Sequence, residues 1–139
     1  MNTNDLQERG LRNNNPGNIR RNDRDKPFIG EIRPSQDCLF RQFKDISYGY
    51  RAMFYLLRKY KKNKFNTIEA MIYRWAPPND NNDTNTYIDF VCHKSGMDRY
   101  QPVDVYDKNT MCKIVAAMSQ MENGVKANMI DVEKGWSLL

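Results

Sequence analysis

The sequence predicts a mainly helical α+β protein, with a small irregular β-containing lobe followed by a lobe of four to five helices. Three observations carry this expectation. Helix breakers crowd the first forty residues, at Gly10, Pro16, Gly17, Pro27, Gly30 and Pro34. From Ile46 onward, apolar residues recur at helical spacing. Beyond that, capping residues and stop signals punctuate the chain at helix-length intervals. The 139 residues match the size of one ordinary domain, so a single domain spanning 1–139 is expected.

The elements follow in order. Breakers at this density forbid a long helix between Gly10 and Pro34. Short extended pieces are expected instead, over Asn18–Arg20, Phe28–Arg33 and Cys38–Phe43, the last being the best strand candidate. Ile46, Tyr50, Met53, Phe54, Leu57 and Tyr60 form one helical face, with Asp45 or Ser47 as the cap. Lys59, Lys61 and Lys62 complement the dipole at its end. Thr67 opens a second helix over Ile68–Trp75, which Pro77-Pro78 stops. After the polar loop Asn79–Asp83, Thr84 or Asn85 caps a third helix that runs to about Lys94 and ends at Gly96. Asp107 caps a fourth, to about Glu122, with Met111, Ile114, Val115, Met118 and Met121 inward. A last short helix is expected over Asn128–Lys134, with Gly135 and Trp136 closing the chain.

Composition narrows the function. The net charge of +5 is uneven: residues 1–78 carry +8 and residues 79–139 carry −3. A basic half suits polyanions such as nucleic acid, teichoic acid or an acidic cell surface. Cys38, Cys92 and Cys112 are odd in number and widely spaced, so they predict no disulfide framework and no metal site. Each sits in an apolar run and reads as a buried small hydrophobe. The N-terminus has no apolar core of the signal-peptide kind, and no run is long enough to span a bilayer. Synthesis in a reducing compartment, without a classical signal peptide, is the corresponding expectation. The lone His93 speaks against a triad or a histidine-based metal centre, and no phosphate-loop, dinucleotide or zinc motif occurs. No cofactor is expected. Carboxylate chemistry or binding remains.

Glycoside cleavage needs a partly desolvated carboxylic acid to protonate the leaving oxygen. The carboxylates weighed for this are Glu8, Asp23, Asp25, Glu31, Glu69, Asp80 and Asp83. Asp23 and Asp25 are interleaved with Arg21, Arg24 and Lys26 and suit surface pairing. Glu69 suits the first turn of its helix, and Asp80 and Asp83 suit a turn. Asn13-Asn14-Asn15-Pro16-Gly17-Asn18 combines residues that tolerate left-handed backbone with amides that donate and accept. Both turn formation and contact with amino sugars are open for it, the latter through Asn15 and Asn18.

The run Gly10-Leu11-Arg12-Asn13-Asn14-Asn15-Pro16-Gly17-Asn18-Ile19-Arg20 resembles the opening motif of a phage and prophage family, whose members are called structural or lysozyme-like proteins. The resemblance continues through Phe40-Arg41-Gln42-Phe43, Gly49-Tyr50-Arg51-Ala52, Arg74-Trp75-Ala76-Pro77-Pro78 and Thr86-Tyr87-Ile88, covering roughly residues 9–95. More distantly, the order is similar to that of lytic transglycosylases and glucosaminidases. The resemblance implies a lysozyme-like domain acting on peptidoglycan glycan strands, with Glu8 as general acid and Trp75 and Tyr87 near the sugar cleft. The chain departs from the pattern in having only seven residues ahead of Glu8, too few for the usual helix before the acid. Substrate assistance, an acid from elsewhere, and a lysozyme-like fold without catalysis all stay open. Three function classes result: a peptidoglycan glycosidase or lytic transglycosylase, a non-catalytic virion or wall-binding protein with other virion proteins as partners, and a basic nucleic-acid-binding module.

Overall fold

The computed structural model describes residues 9–139. Residues 9–12 are helical and lead straight into the Asn-rich segment. Asn14 and Asn18 adopt left-handed backbone, at φ 52° and 48°, which asparagine tolerates better than most residues. The segment therefore bends twice within five residues and lies against the first long helix. Gly49 of that helix permits the approach, because a Cβ there would come within 2.2 Å of the Asn14 carbonyl oxygen.

The β part is smaller than the sequence suggests. Strands β1 (Glu31–Ile32) and β2 (Gln42–Phe43) pair antiparallel, with Glu31 opposite Phe43 and Ile32 opposite Gln42. Of the piece Asn18–Arg20, only a bridge between Arg20 and Phe40 remains. Side chains replace the missing ladder. Ser35 Oγ donates to the Phe40 carbonyl at 2.7 Å, and Asp37 accepts from the Leu39 and Phe40 amides at 2.8 and 3.0 Å. A loop organised by its own carboxylate and hydroxyl does not extend into a strand.

Five helices follow: α1 (Ile46–Lys62), α2 (Ile68–Trp75), α3 (Thr84–Ser95), α4 (Lys108–Asn123) and α5 (Met129–Ser137). The chain is thus mainly helical with a small two-stranded sheet, as the sequence predicts. Asp45, Thr67, Asp107 and Asn128 cap their helices through side-chain oxygens. Asp83, one residue before the expected Thr84, caps α3. Gly96 and Gly124 close α3 and α4 in left-handed conformation. The last helix runs through Gly135 and Trp136 instead of ending before them. Gly135 lies against α1, where a Cβ would meet Tyr50 Cβ at 2.7 Å.

One cluster of buried side chains joins all five helices, including Tyr50, Phe54, Leu57, Ile72, Ile88, Met111, Ile114 and Met118. The methionine stripe of α4 is therefore core. Cys112 is buried in it, Cys92 is half-buried, and all three thiols are free. Cys38 is exposed, against the expectation of burial: it sits on the Asp37-organised loop, whose apolar neighbour Phe40 takes the interior position instead. No helix among the described residues is long and apolar enough to cross a membrane.

Candidate functional site

The Asn-rich segment divides its labour residue by residue. Asn13 donates to Asp37 at 3.0 Å and Asn14 to the Phe43 carbonyl at 3.1 Å. Asn15 is completely buried and donates to the Ile19 and Arg41 carbonyls, each at 2.9 Å, while its oxygen accepts from the Ile19 amide. With its amide committed to backbone, Asn15 does not face a ligand, and the expected sugar contact is corrected to a scaffolding role. Asn18, itself the second bend, points the other way. Its amide donates to Glu122 Oε1 at 3.2 Å.

Glu122 lies in the last turn of α4, which carries no basic residue. The next residue, Asn123, donates to the Pro16 carbonyl at 2.8 Å and to the Ser119 carbonyl at 2.9 Å. That clamp fixes the helix end to the proline turn, so Asn18 reaches the carboxyl. From the opposite wall, Tyr87 of α3 donates its hydroxyl to Glu122 Oε2 at 3.0 Å. The Tyr87 ring is buried, and its phenol is held well above its ordinary pKa by burial and by the adjacent carboxylate. Burial also pushes the Glu122 carboxyl up, opposed by the Asn18 and Tyr87 hydrogen bonds. The upward effect prevails, so Glu122 keeps a proton to higher pH than an ordinary glutamate.

This carboxyl opens into a cleft of about 470 Å³ between the β-containing part and the helices. Gly17, Asn18, Phe40, Trp75, Tyr87 and the loop Asp80–Asp83 contribute to its walls. Trp75 at the end of α2 is half-buried, with its ring edge-on to Tyr60 at 6.2 Å. Gly17 lets the indole seat there, since a Cβ would fall 2.7 Å from Trp75 Cζ2. The Thr84 hydroxyl, donating to the Ala76 carbonyl at 2.7 Å, ties the end of α2 to the start of α3. A tryptophan platform, an amide and a proton-holding carboxyl in one cleft can seat a sugar ring and protonate an oxygen at its edge.

Asn18, Trp75 and Tyr87 thus come together, whereas Asn15 stands apart. Glu8 lies outside the described residues. The other carboxylates weighed from sequence have structural partners or exposed positions. Asp23 pairs with Arg21, and Glu69 with Arg99. Asp25 and Glu31 form a network with Arg33 and the buried Arg41, not with Arg24 or Lys26. Asp83 holds the Thr86 amide and hydroxyl, and those bonds lower its pKa. Asp80 is exposed on the cleft rim. No group of three or more His, Cys, Asp or Glu able to hold a metal ion occurs among the described residues.

Sequence reasoning did not single out Glu122. One signal was available. An acidic residue in the last turn of a helix opposes the dipole that basic residues there complement, and such a placement needs a reason other than helix stability.

No family model matches the chain. It is similar to protein P5 of Pseudoalteromonas phage PM2, with 40% identity over 131 residues that span 92% of this chain and 79% of that protein.

Proposed function

The chain belongs to the family of protein P5 of Pseudoalteromonas phage PM2, and from that premise and the cleft we propose a peptidoglycan-degrading glycosidase or lytic transglycosylase of phage origin, with Glu122 as its general acid. The observation that carries this reading is the Glu122 carboxyl, its pKa raised by burial, lining the same cleft as Trp75. An acid of raised pKa is what departure of a glycosidic oxygen requires. Asn18 and Tyr87 fix both carboxyl oxygens, so the proton points along a defined direction. Tyr87 acts through Glu122 and is a positioning residue.

One acid suffices where the substrate itself stabilises the opposite face of the ring, as its N-acetyl oxygen or a ring hydroxyl can. The reading accordingly needs neither a cofactor nor a second nucleophile from the protein. Glycan strands are the partner, and action at the wall or from a virion follows from the phage lineage. We place the acid at Glu122 and not at Glu8 because, among the described carboxyls lining the cleft, Glu122 is the one whose pKa burial raises.

Incubation of purified protein with isolated sacculi tests the reading. Soluble muropeptides are expected, with a rate loss of roughly 10²–10⁴-fold in Glu122→Gln. Glu8→Gln is expected to retain the rate. Absence of muropeptides from the folded wild type overturns the enzyme. Loss confined to Glu8→Gln returns the acid to that position. The second reading, a wall-binding protein without turnover, is favoured by one fact: Asn18 and Tyr87 each occupy one Glu122 oxygen, as they would for a structural carboxyl. It predicts co-sedimentation with sacculi and no release.

A further inference from the structure

The Glu122 cleft does not end at Trp75. A second hollow shares Gly17, Asn18, Arg20, Trp75 and Asp80 with it. A third, of about 370 Å³, shares Ile19 and Leu56 with the second. The three adjoin one another along the Asn18–Arg20 segment and the outer side of α1. Their charge changes along this path. The Glu122 cleft carries Asp80, Asp83 and Glu122 with Arg20 as its one cation. The second hollow carries Arg20 and Arg74 with Asp80, and the third carries Lys26, Arg41, Arg51 and Lys59 with Asp25.

Arg20, Lys26, Arg51 and Lys59 differ from Arg9, Arg21, Arg33 and Arg41, each of which holds a carboxylate. Asp25 is itself taken by Arg33 and Arg41. Arg20, Lys26, Arg51 and Lys59 make no ion pair among the described residues, and α1 contains no acidic residue. Arg51 and Lys59 flank the exposed Tyr55 ring, at 5.8 and 5.7 Å from its centroid. Helix stability asks for cations only at the end of α1. Arg51 lies in its N-terminal half, where its Nε donates to the Leu138 carbonyl at 3.1 Å while its side chain also lines the third hollow.

We propose that this basic arm is a distal subsite for the same strand that enters the Glu122 cleft, and that it binds the carboxylates of the peptide stems carried by peptidoglycan. The inference rests on the glycan-strand reading of the cleft. A strand lying along the groove places sugar at Trp75 and its pendant carboxylates against Arg20, Lys26, Arg51 and Lys59. Attraction between exposed charges is modest singly and additive along a polymer. It is screened by salt.

Co-sedimentation with sacculi tests it, using full-length Glu122→Gln so that the polymer stays intact. Adding Arg20→Gln, Lys26→Gln and Lys59→Gln, all at exposed positions, is expected to weaken binding about tenfold at low salt. Removing Lys94, Lys113 and Lys126, which line a different hollow, is expected to leave binding within about twofold. Sacculi whose carboxyls have been converted to amides should bind the parent protein as weakly as untreated sacculi bind the triple variant. Equal binding to amidated and untreated sacculi overturns the subsite. So does an equal loss from the two triple variants, and so does a single-stranded DNA oligonucleotide that binds the arm more tightly than sacculi do. Carboxylate-dependent binding without muropeptide release would refute the enzyme and leave the subsite standing. Release without carboxylate dependence would do the reverse.

Discussion

Replacing Asp37 by Ala removes the acceptor around which the β-containing part is built. Arg9 donates Nε and Nη2 to the two carboxyl oxygens, Asn13 adds its amide, and the Leu39 and Phe40 backbone amides complete the set. The two charged side chains are only 9% and 7% exposed. Loss of one partner from such a pair costs about 3–5 kcal/mol. The lower end applies, because the guanidinium keeps the Phe40 ring 5.0 Å away and a contact to Cys38. About 3 kcal/mol is a sizeable share of the roughly 5–15 kcal/mol that holds a domain together. For a chain of this size it lowers Tm by roughly 10 °C. Burial pushes the Asp37 carboxyl up, but the bonds from Arg9, Asn13, Leu39 and Phe40 outweigh it and hold its pKa well below the usual carboxylate range. The stability it contributes is therefore present above its unfolded pKa of about 3.9 and is lost as pH falls through the lower folded value. Calorimetry of wild type, Asp37→Ala, Arg9→Met and the double variant from pH 2 to 7 checks both points. A Tm within about 2 °C of wild type at pH 7 refutes the reasoning, as does a double variant as unstable as the sum of the singles.

Three further outcomes are expected. Glu122 has a folded pKa above its unfolded value of about 4.3, so its stabilising effect is complete below that pH and is lost as pH rises through the folded value; the Tm difference between Glu122→Gln and wild type should grow in the variant's favour across that window, and a pH-independent difference refutes it. Gly17→Ala drives a methyl against Trp75 and Met53, costing about 1–3 kcal/mol, with a shift in tryptophan emission and weaker binding to sacculi as the readouts. Tyr87→Phe removes a hydrogen bond that lowers the Glu122 pKa, so the alkaline limb of the muropeptide-release profile should move to higher pH, and a downward move counts against the assigned hydrogen bond.

The helical lobe was readable in sequence because its signals are local. Asp45, Thr67, Asp107 and Asn128 cap where their side chains reach two or three residues ahead, and the apolar spacing of α1 marks the face that packs. The β-containing part was readable only as non-helical. Its order comes from contacts across 24 to 29 residues, such as Asn13 to Asp37 and Asn14 to Phe43, and nothing in local spacing encodes them. The same distinction separates Asn15 from Asn18. Both sit in one run, yet Asn15 turns inward while Asn18, itself in left-handed backbone, reaches Glu122 at the cleft.

Glu122 sharpens that point. Its partners are 104 and 35 residues away, so its environment is invisible along the chain, yet its position is costly in a way the chain does reveal. A carboxylate in the final turn of α4 meets the negative end of the helix and raises the energy of its own ionised form. Burial beside Trp75 and Tyr87 acts in the same direction. A glutamine at this place would accept from Tyr87 and avoid both penalties, at the cost of setting its amide against the Asn18 donor. What glutamine cannot do is release a proton at need. The two donors account for a carboxyl in structural terms, and the proposed glycosidase adds a use for the raised pKa, with Asn18 and Tyr87 moderating the rise and aiming the group.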